Sequence, residues 1–284
     1  MSVRYRKRDL GKVLDDALGM YRANFRPLAI ALAVTVFPVA LLMGLAQDFY
    51  YRGYFESVLA EPTGEFLGML LVYYGVLAFA SLLMWFVRGY FEASLLTAAP
   101  GLLGGARLEP RPMLKAGLRR YGWYLLTQFC VATLAGIAGV FSFFLLYAGA
   151  IAVYALLAVA PVISVVEGAD LGTAFSRSIK LVRGSFWRVV GYVVLLAVLS
   201  SAFQAALSSP AVIRQVVETV QNPEAIFAPV SIGWKLLEGL LLALAMALPM
   251  PFATFAAFNL YVDLRVRTEG MDLLARAREL AEAA

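Results

Sequence analysis

The stretch Glu167–Phe186, EGADLGTAFSRSIKLVRGSF, is polar and basic within a chain that is 62% hydrophobic. A helix turns about 100° per residue. Counted from Leu171, the residues Ala174, Phe175, Ser178, Ile179, Leu181, Val182 and Phe186 share an arc of roughly 160°. Arg177, Lys180 and Arg183 fall opposite. Asp170 stands where an N-cap belongs, because its short carboxylate can accept from the free amides of the first turn. The segment is too short and too charged to cross a bilayer. It reads as a basic amphipathic helix in the cytoplasmic interface, its apolar face toward acyl chains or toward a helix bundle. Each Lys or Arg there gains about 1 kcal/mol near anionic headgroups.

The pattern recurs. In DLGKVLDDALGMYRANF, from Asp9 to Phe25, the apolar face is Leu10, Val13, Leu14, Ala17, Leu18, Tyr21 and Phe25. Lys12, Asp15, Asp16 and Arg22 oppose it. Alignment on Asp9 and Asp170 pairs Leu10 with Leu171, Gly11 with Gly172, Arg22 with Arg183 and Phe25 with Phe186. A weaker copy sets Leu114, Leu118 and Tyr121 against Lys115, Arg119 and Arg120. The tail sequence EGMDL, starting at Glu269, echoes EGADL. The unit interfacial helix–span–span therefore reads as occurring three times. Internal triplication and convergence on one task, entering a bilayer from the basic side, both explain it.

The rest of the chain needs a solvent other than water. Only 15% of its 284 residues are charged, and several apolar runs reach the ~20 residues that cross a ~30 Å hydrocarbon core. Six spans are expected, near 27–46, 66–99, 123–147, 150–166, 186–207 and 232–261. A tight hairpin near Gly149 separates the third from the fourth, since one unbroken helix there would far exceed the bilayer. The fold class is all-α: one integral membrane domain over 1–284. Its parts are a cytoplasmic arm and interfacial helix (1–26), two spans (27–99), an interfacial helix and two spans (100–166), the same again (167–262), and a cytoplasmic tail (263–284).

Charge sets the orientation. Lys and Arg gather before the first span, between the second and third, between the fourth and fifth, and after the sixth; the opposite face carries only Arg52, Arg214 and Lys235. The positive-inside rule then places both termini in the cytoplasm. The outer loops are short, and the longer holds a helical segment at Val212–Gln221. No cleavable leader is read, because an amphipathic helix separates the basic start from the first apolar run.

Three stretches resemble the glycerophosphoryl diester phosphodiesterase membrane-domain family of prokaryotic integral membrane proteins: LGKVLDDALGMYRANFRPL, AFSRSIKLVRGSFWRVVG and LYVDLRVRTEGMDLL. They occur in the family's order and bracket nearly the whole chain. The resemblance implies a multi-helical membrane domain, joined in some relatives to a phosphodiesterase domain. Those phosphodiesterases use a histidine pair and a carboxylate-bound metal. This chain has no histidine, so the expectation is the membrane part standing alone, in a prokaryotic inner membrane.

Chemistry is sparse. Without histidine, the commonest general base and metal ligand are missing. No phosphate loop, metal cluster or nucleophile–base set is present, and no cofactor or metal is expected. Cys130 reads as a small buried hydrophobe. Ionisable groups at membrane depth are costly and so are the first functional suspects. Arg88 and Glu92, four apart, read as an ion pair near the cytoplasmic end of the second span, structural or functional. Glu238 faces a long apolar run and reads as a proton acceptor or cation ligand, or as an interfacial residue beside Lys235. A cytoplasmic clasp or docking surface is expected from Glu167, Asp170, Arg177, Arg183, Asp263, Arg265, Glu269 and Asp272. Pro38, Pro161, Pro249 and Pro251 interrupt spans, and LPMPF is the best hinge candidate.

These readings point first to a non-enzymatic scaffold, assembly factor or accessory subunit. Its expected partners are membrane lipids, including anionic headgroups, and a protein partner or a second copy, with no nucleic acid. The alternative is a transporter or channel for a small, lipidic or anionic molecule.

Overall fold

The structure is a computed structural model and describes residues 9–44, 66–143, 148–221 and 232–270. Every element among them is an α-helix. They are α1 (Leu10–Ala23), α2 (Phe25–Val34), α3 (Val36–Gly44), α4 (Phe66–Leu103), α5 (Pro110–Phe141), α6 (Ala148–Leu157), α7 (Ala160–Val166), α8 (Leu171–Arg183), α9 (Phe186–Gln221), α10 (Ile232–Ala247) and α11 (Pro249–Glu269). Five helical stretches are long and apolar enough to cross a membrane; a sixth is added if the bent pair α2–α3 counts as one span. Only 11% of the apolar window is buried in Tyr74–Leu103, and again 11% in Phe186–Pro210. Faces so apolar and so bare fit a multi-pass protein solvated by acyl chains.

Proline accounts for the breaks. Pro38, Pro161 and Pro249 each sit in the first turn of a new helix, where a missing amide costs nothing, and the preceding helix stops just before. The break before Pro38 falls at Thr35 and bends the pair by 56°. The expected fourth span is thus two pieces, α6 and α7, and the sixth divides at Leu248, just ahead of the two prolines of the expected hinge. Pro210 lies within α9 instead. Its missing N–H frees the Ala206 carbonyl, and the Ser209 hydroxyl donates to that carbonyl at 2.8 Å. The expected fifth span and outer helical segment accordingly form one helix.

The lead-in helices differ from expectation in one copy. α1 and α8 start at the aligned pair Leu10 and Leu171, after extended Asp9 and Asp170. The next helices start at the aligned Phe25 and Phe186. Buried positions match as well, Val13 with Ala174 and Ala17 with Ser178. The middle copy has no separate lead-in: α5 runs unbroken for 32 residues. Its sequence lacks an interruption like Asn24 or Gly184–Ser185, so the helix simply continues.

The chain divides into two compact units, Met1–Ala31 with Gly89–Val198 and Met250–Ala284, and Leu32–Arg88 with Leu199–Pro249. The first is centred on α7 and α11; residues 160–165 of α7 are all buried, as are Leu260–Leu264. α5 runs antiparallel to α6–α7. The Ser142 hydroxyl accepts from the Gly149 amide at 3.0 Å at one end, Val131 packs on Leu157 and Ala160 midway, and Arg120 Nη1 donates to the Gly168 carbonyl at 3.1 Å at the other. α4 packs antiparallel on α5. Gly117 permits this approach, since a Cβ there would lie 2.6 Å from the Ser94 Cα. In the second unit a similar approach joins α3 to α10, where a Gly44 Cβ would meet the Gly239 Cα at 3.1 Å.

Candidate functional site

EGADL folds into a helix stop and a helix start. Glu167 is the last αR residue of α7, and Gly168 follows at φ 68, a left-handed conformation that costs a side-chain-bearing residue dearly. Asp170 then opens α8, and the Thr173 hydroxyl is the main cause holding its carboxyl below the usual carboxylate range. The echo EGMDL begins alike: Glu269 ends α11 and Gly270 has φ 63. The repeated Glu–Gly is therefore a repeated way of ending a helix with a carboxylate at its last turn.

Those two carboxylates meet. α8 folds back along α7, with its apolar face on α6 and α7: the Ser178 hydroxyl donates to the Leu156 carbonyl at 2.8 Å, and Phe175 packs by Leu157 and Ala160. Of the two partners the sequence allowed this face, it takes the bundle. Arg177 is thereby carried inward, away from the solvent-facing cations. It makes an ion pair with Glu167, and its Nη2 reaches Glu269 Oε1 at 2.8 Å. Arg265 closes the other side, with Nε to Glu269 Oε2 at 2.8 Å and Nη1 to Glu167 Oε1 at 3.8 Å. Two carboxylates and two guanidiniums thus alternate in a ring. Tyr261 completes it: its hydroxyl donates to Glu167 and accepts from Arg265 Nη1 at 3.0 Å. The four charged side chains are 20–30% exposed, so water screens the ring in part.

The opposite face of α11 holds a second cluster. Asp263 is fully buried and accepts from Arg188 of α9 at 3.1 Å and from Arg267, one turn on, at 2.9 Å. The tract YVDLRVRTE thus alternates: Tyr261, Arg265 and Glu269 face α7 and α8, and Asp263 faces α9.

Of the residues expected to form a clasp, the structure brings together Glu167, Arg177, Arg265 and Glu269. Asp263 lies across α11 from them, Asp170 holds the extended N-cap position of α8 without a capping hydrogen bond from its side chain, and Arg183 is exposed at the end of α8. Asp272 lies outside the described residues. The intramembrane candidates have particular neighbours. Glu92 is 6% exposed and accepts from the Tyr124 hydroxyl at 2.6 Å, while Arg88 is exposed. Glu238 accepts from Arg214, at 2.9 Å from Nε and 2.6 Å from Nη2; the two side chains are 15% and 11% exposed. The Arg214 guanidinium also lies 5.6 Å from the Trp234 ring centre. An anion with an arginine so placed is a poor cation ligand.

Sequence reasoning missed Tyr261, Arg188, Arg267, Tyr124 and Arg214. Tyr261 and Arg267 carried local signals, their four-residue spacings from Arg265 and Asp263. Arg214 counted only as an outer-face cation, and its partner is 24 residues away. No group of three or more potential metal-ligating side chains gathers among the described residues. No family model, curated protein or solved structure matches the chain.

Proposed function

We propose that this chain is a six-span protein of a prokaryotic cell membrane, with both termini cytoplasmic, acting without catalysis as a scaffold, assembly factor or accessory subunit. The carrying observation is the Glu167–Arg177–Glu269–Arg265 ring. It ties the end of α7, the middle of α8 and the end of α11 into one brace, in which each charge already faces its opposite. Such a brace suits a surface that must keep its shape for a partner. Groups so neutralised are ill suited to serve as a nucleophile or general base. The membrane-domain resemblance supports the same reading, because two of its three stretches supply all of the ring but Glu167: Arg177 from the second, and Tyr261, Arg265 and Glu269 from the third.

Purification in mild detergent tests it. A stoichiometric protein partner or a homo-oligomer is expected. A monomer that brings nothing with it in several mild detergents overturns the reading.

A transporter reading draws on the helix breaks before Pro161 and Pro249 and on the Arg214–Glu238 pair. It expects solute flux in liposomes that falls in Glu238→Gln. Equal flux in protein-free vesicles removes it.

A further inference from the structure

The structure sorts the cytoplasmic-side cations into those with a partner and those without. Arg120, Arg177 and Arg265 are committed to Gly168 and the ring. Arg107, Arg111, Lys115 and Arg119 are exposed, and among the described residues none of them pairs with a carboxylate. Their four-residue spacing sets Arg111, Lys115 and Arg119 in one stripe along α5.

With α5 crossing along the membrane normal, the far end of the stripe, at Arg111, reaches beyond the headgroups. The Arg120–Gly168 hydrogen bond marks where the end of α7 meets α5. From there to Arg111 is about 14 Å of helix at ~1.5 Å per residue, whereas the headgroup layer adds only ~5–7 Å per leaflet. α4 accompanies α5 over this length and turns back through Gly105, which has φ 84. Together they form a helical hairpin beyond the fourth span. Near its tip lies an open groove of about 290 Å³, lined by Leu102, Leu108, Pro112 and Met113, with Arg107 and Glu109 also on its wall.

We propose that this hairpin docks an acidic, leucine-bearing helical segment of a cytoplasmic protein, its carboxylates on the stripe and an apolar anchor in the groove. Orientation alone asks for positive charge; it does not ask for an apolar groove beside the charge. Lipid reaches only the near end of the stripe. Residues 100–120 contain no aromatic side chain, so the hairpin has no stacking platform for single-stranded nucleic acid. The inference rests on the scaffold reading and names the kind of partner it takes.

The test uses the full chain in phosphatidylcholine nanodiscs and a fluorescein-labelled amphipathic peptide of Glu and Leu. Saturable binding is expected, weakened about tenfold in R111Q/K115Q/R119Q, the loss of three exposed ion pairs. Ala116→Trp, which fills the groove and leaves the stripe intact, is expected to weaken it too. K180Q/R183Q on α8 should stay within about twofold of wild type, having removed no such pair. The proposal is overturned if peptide binding is absent or survives both hairpin variants. It is also overturned if single-stranded RNA displaces the peptide at lower concentration, or if the triple variant loses only binding to anionic vesicles. A partner that co-purifies undiminished with the triple variant would sink the hairpin site and leave the scaffold reading standing.

Discussion

At the scale of single residues, the two Glu–Gly pairs do the most. Gly168 combines a positive φ with a guanidinium packed where a Cβ would go. Gly168→Ala should therefore destabilise the protein by about 1–3 kcal/mol, while Gly184→Ala, at an ordinary negative φ, should cost far less. Comparing the two by chemical unfolding in mixed micelles checks this; equal losses would mean that the αL turn contributes nothing. The carboxylates of the ring were legible in the sequence because they sit in a repeated pentad. Their guanidinium partners, Arg177 and Arg265, stood among the eight clasp candidates, but nothing in the sequence paired them with these carboxylates. Arg177 looked like a headgroup cation because its phase on α8 is opposite the apolar arc. A long side chain beside a neighbouring helix end can turn back to a carboxylate, and no local pattern records that. Asp263 shows the same limit: its burial depends on Arg188, 75 residues away.

At the scale of elements, apolar period and proline position carried most of the information. The lead-in helices α1 and α8 begin where their aligned caps predict. The middle copy failed as a separate element because charge pattern fixes a helix face but does not end a helix; a breaker is needed, and between Pro112 and Phe141 there is no proline and no Asn. The opposite error occurred at Pro210, read as lying between a span and a separate outer segment although the helix continues through it. Ser209 explains the tolerance, and it yields a prediction. Ser209→Ala should cost about 0.6–1.7 kcal/mol in wild type, the range for hydrogen bonds in membrane helices, and little in a Pro210→Ala background, where the Ala206 carbonyl regains its amide. Equal cost in both backgrounds would show that the hydroxyl does not serve the freed carbonyl.

At the scale of the whole molecule, the apolar helices agree with the membrane reading, and the distribution of Lys and Arg gives the proposed orientation. Ser176 is exposed on α8, one residue before the ring arginine. In a Cys130→Ala background, Ser176→Cys should react with a membrane-impermeant maleimide only after the membrane is opened. Labelling of intact cells would reverse the topology, and with it the cytoplasmic setting of the hairpin. Such reversal would leave the ring itself untouched, because the ring depends on packing within one unit and on no membrane side.

The brace formed by that ring is tested most directly by a double-mutant cycle on Arg177 and Glu269, which are 2.8 Å apart across α8 and α11. Unfolding is followed in mixed micelles for Arg177→Gln, Glu269→Gln and the pair together. The brace predicts a coupling of about 0.5–1.5 kcal/mol, modest because the side chains are partly solvated, with the double variant less destabilised than the sum of the singles. Losses that add to within ~0.3 kcal/mol would mean that the two residues stabilise the fold independently and that no single brace joins them.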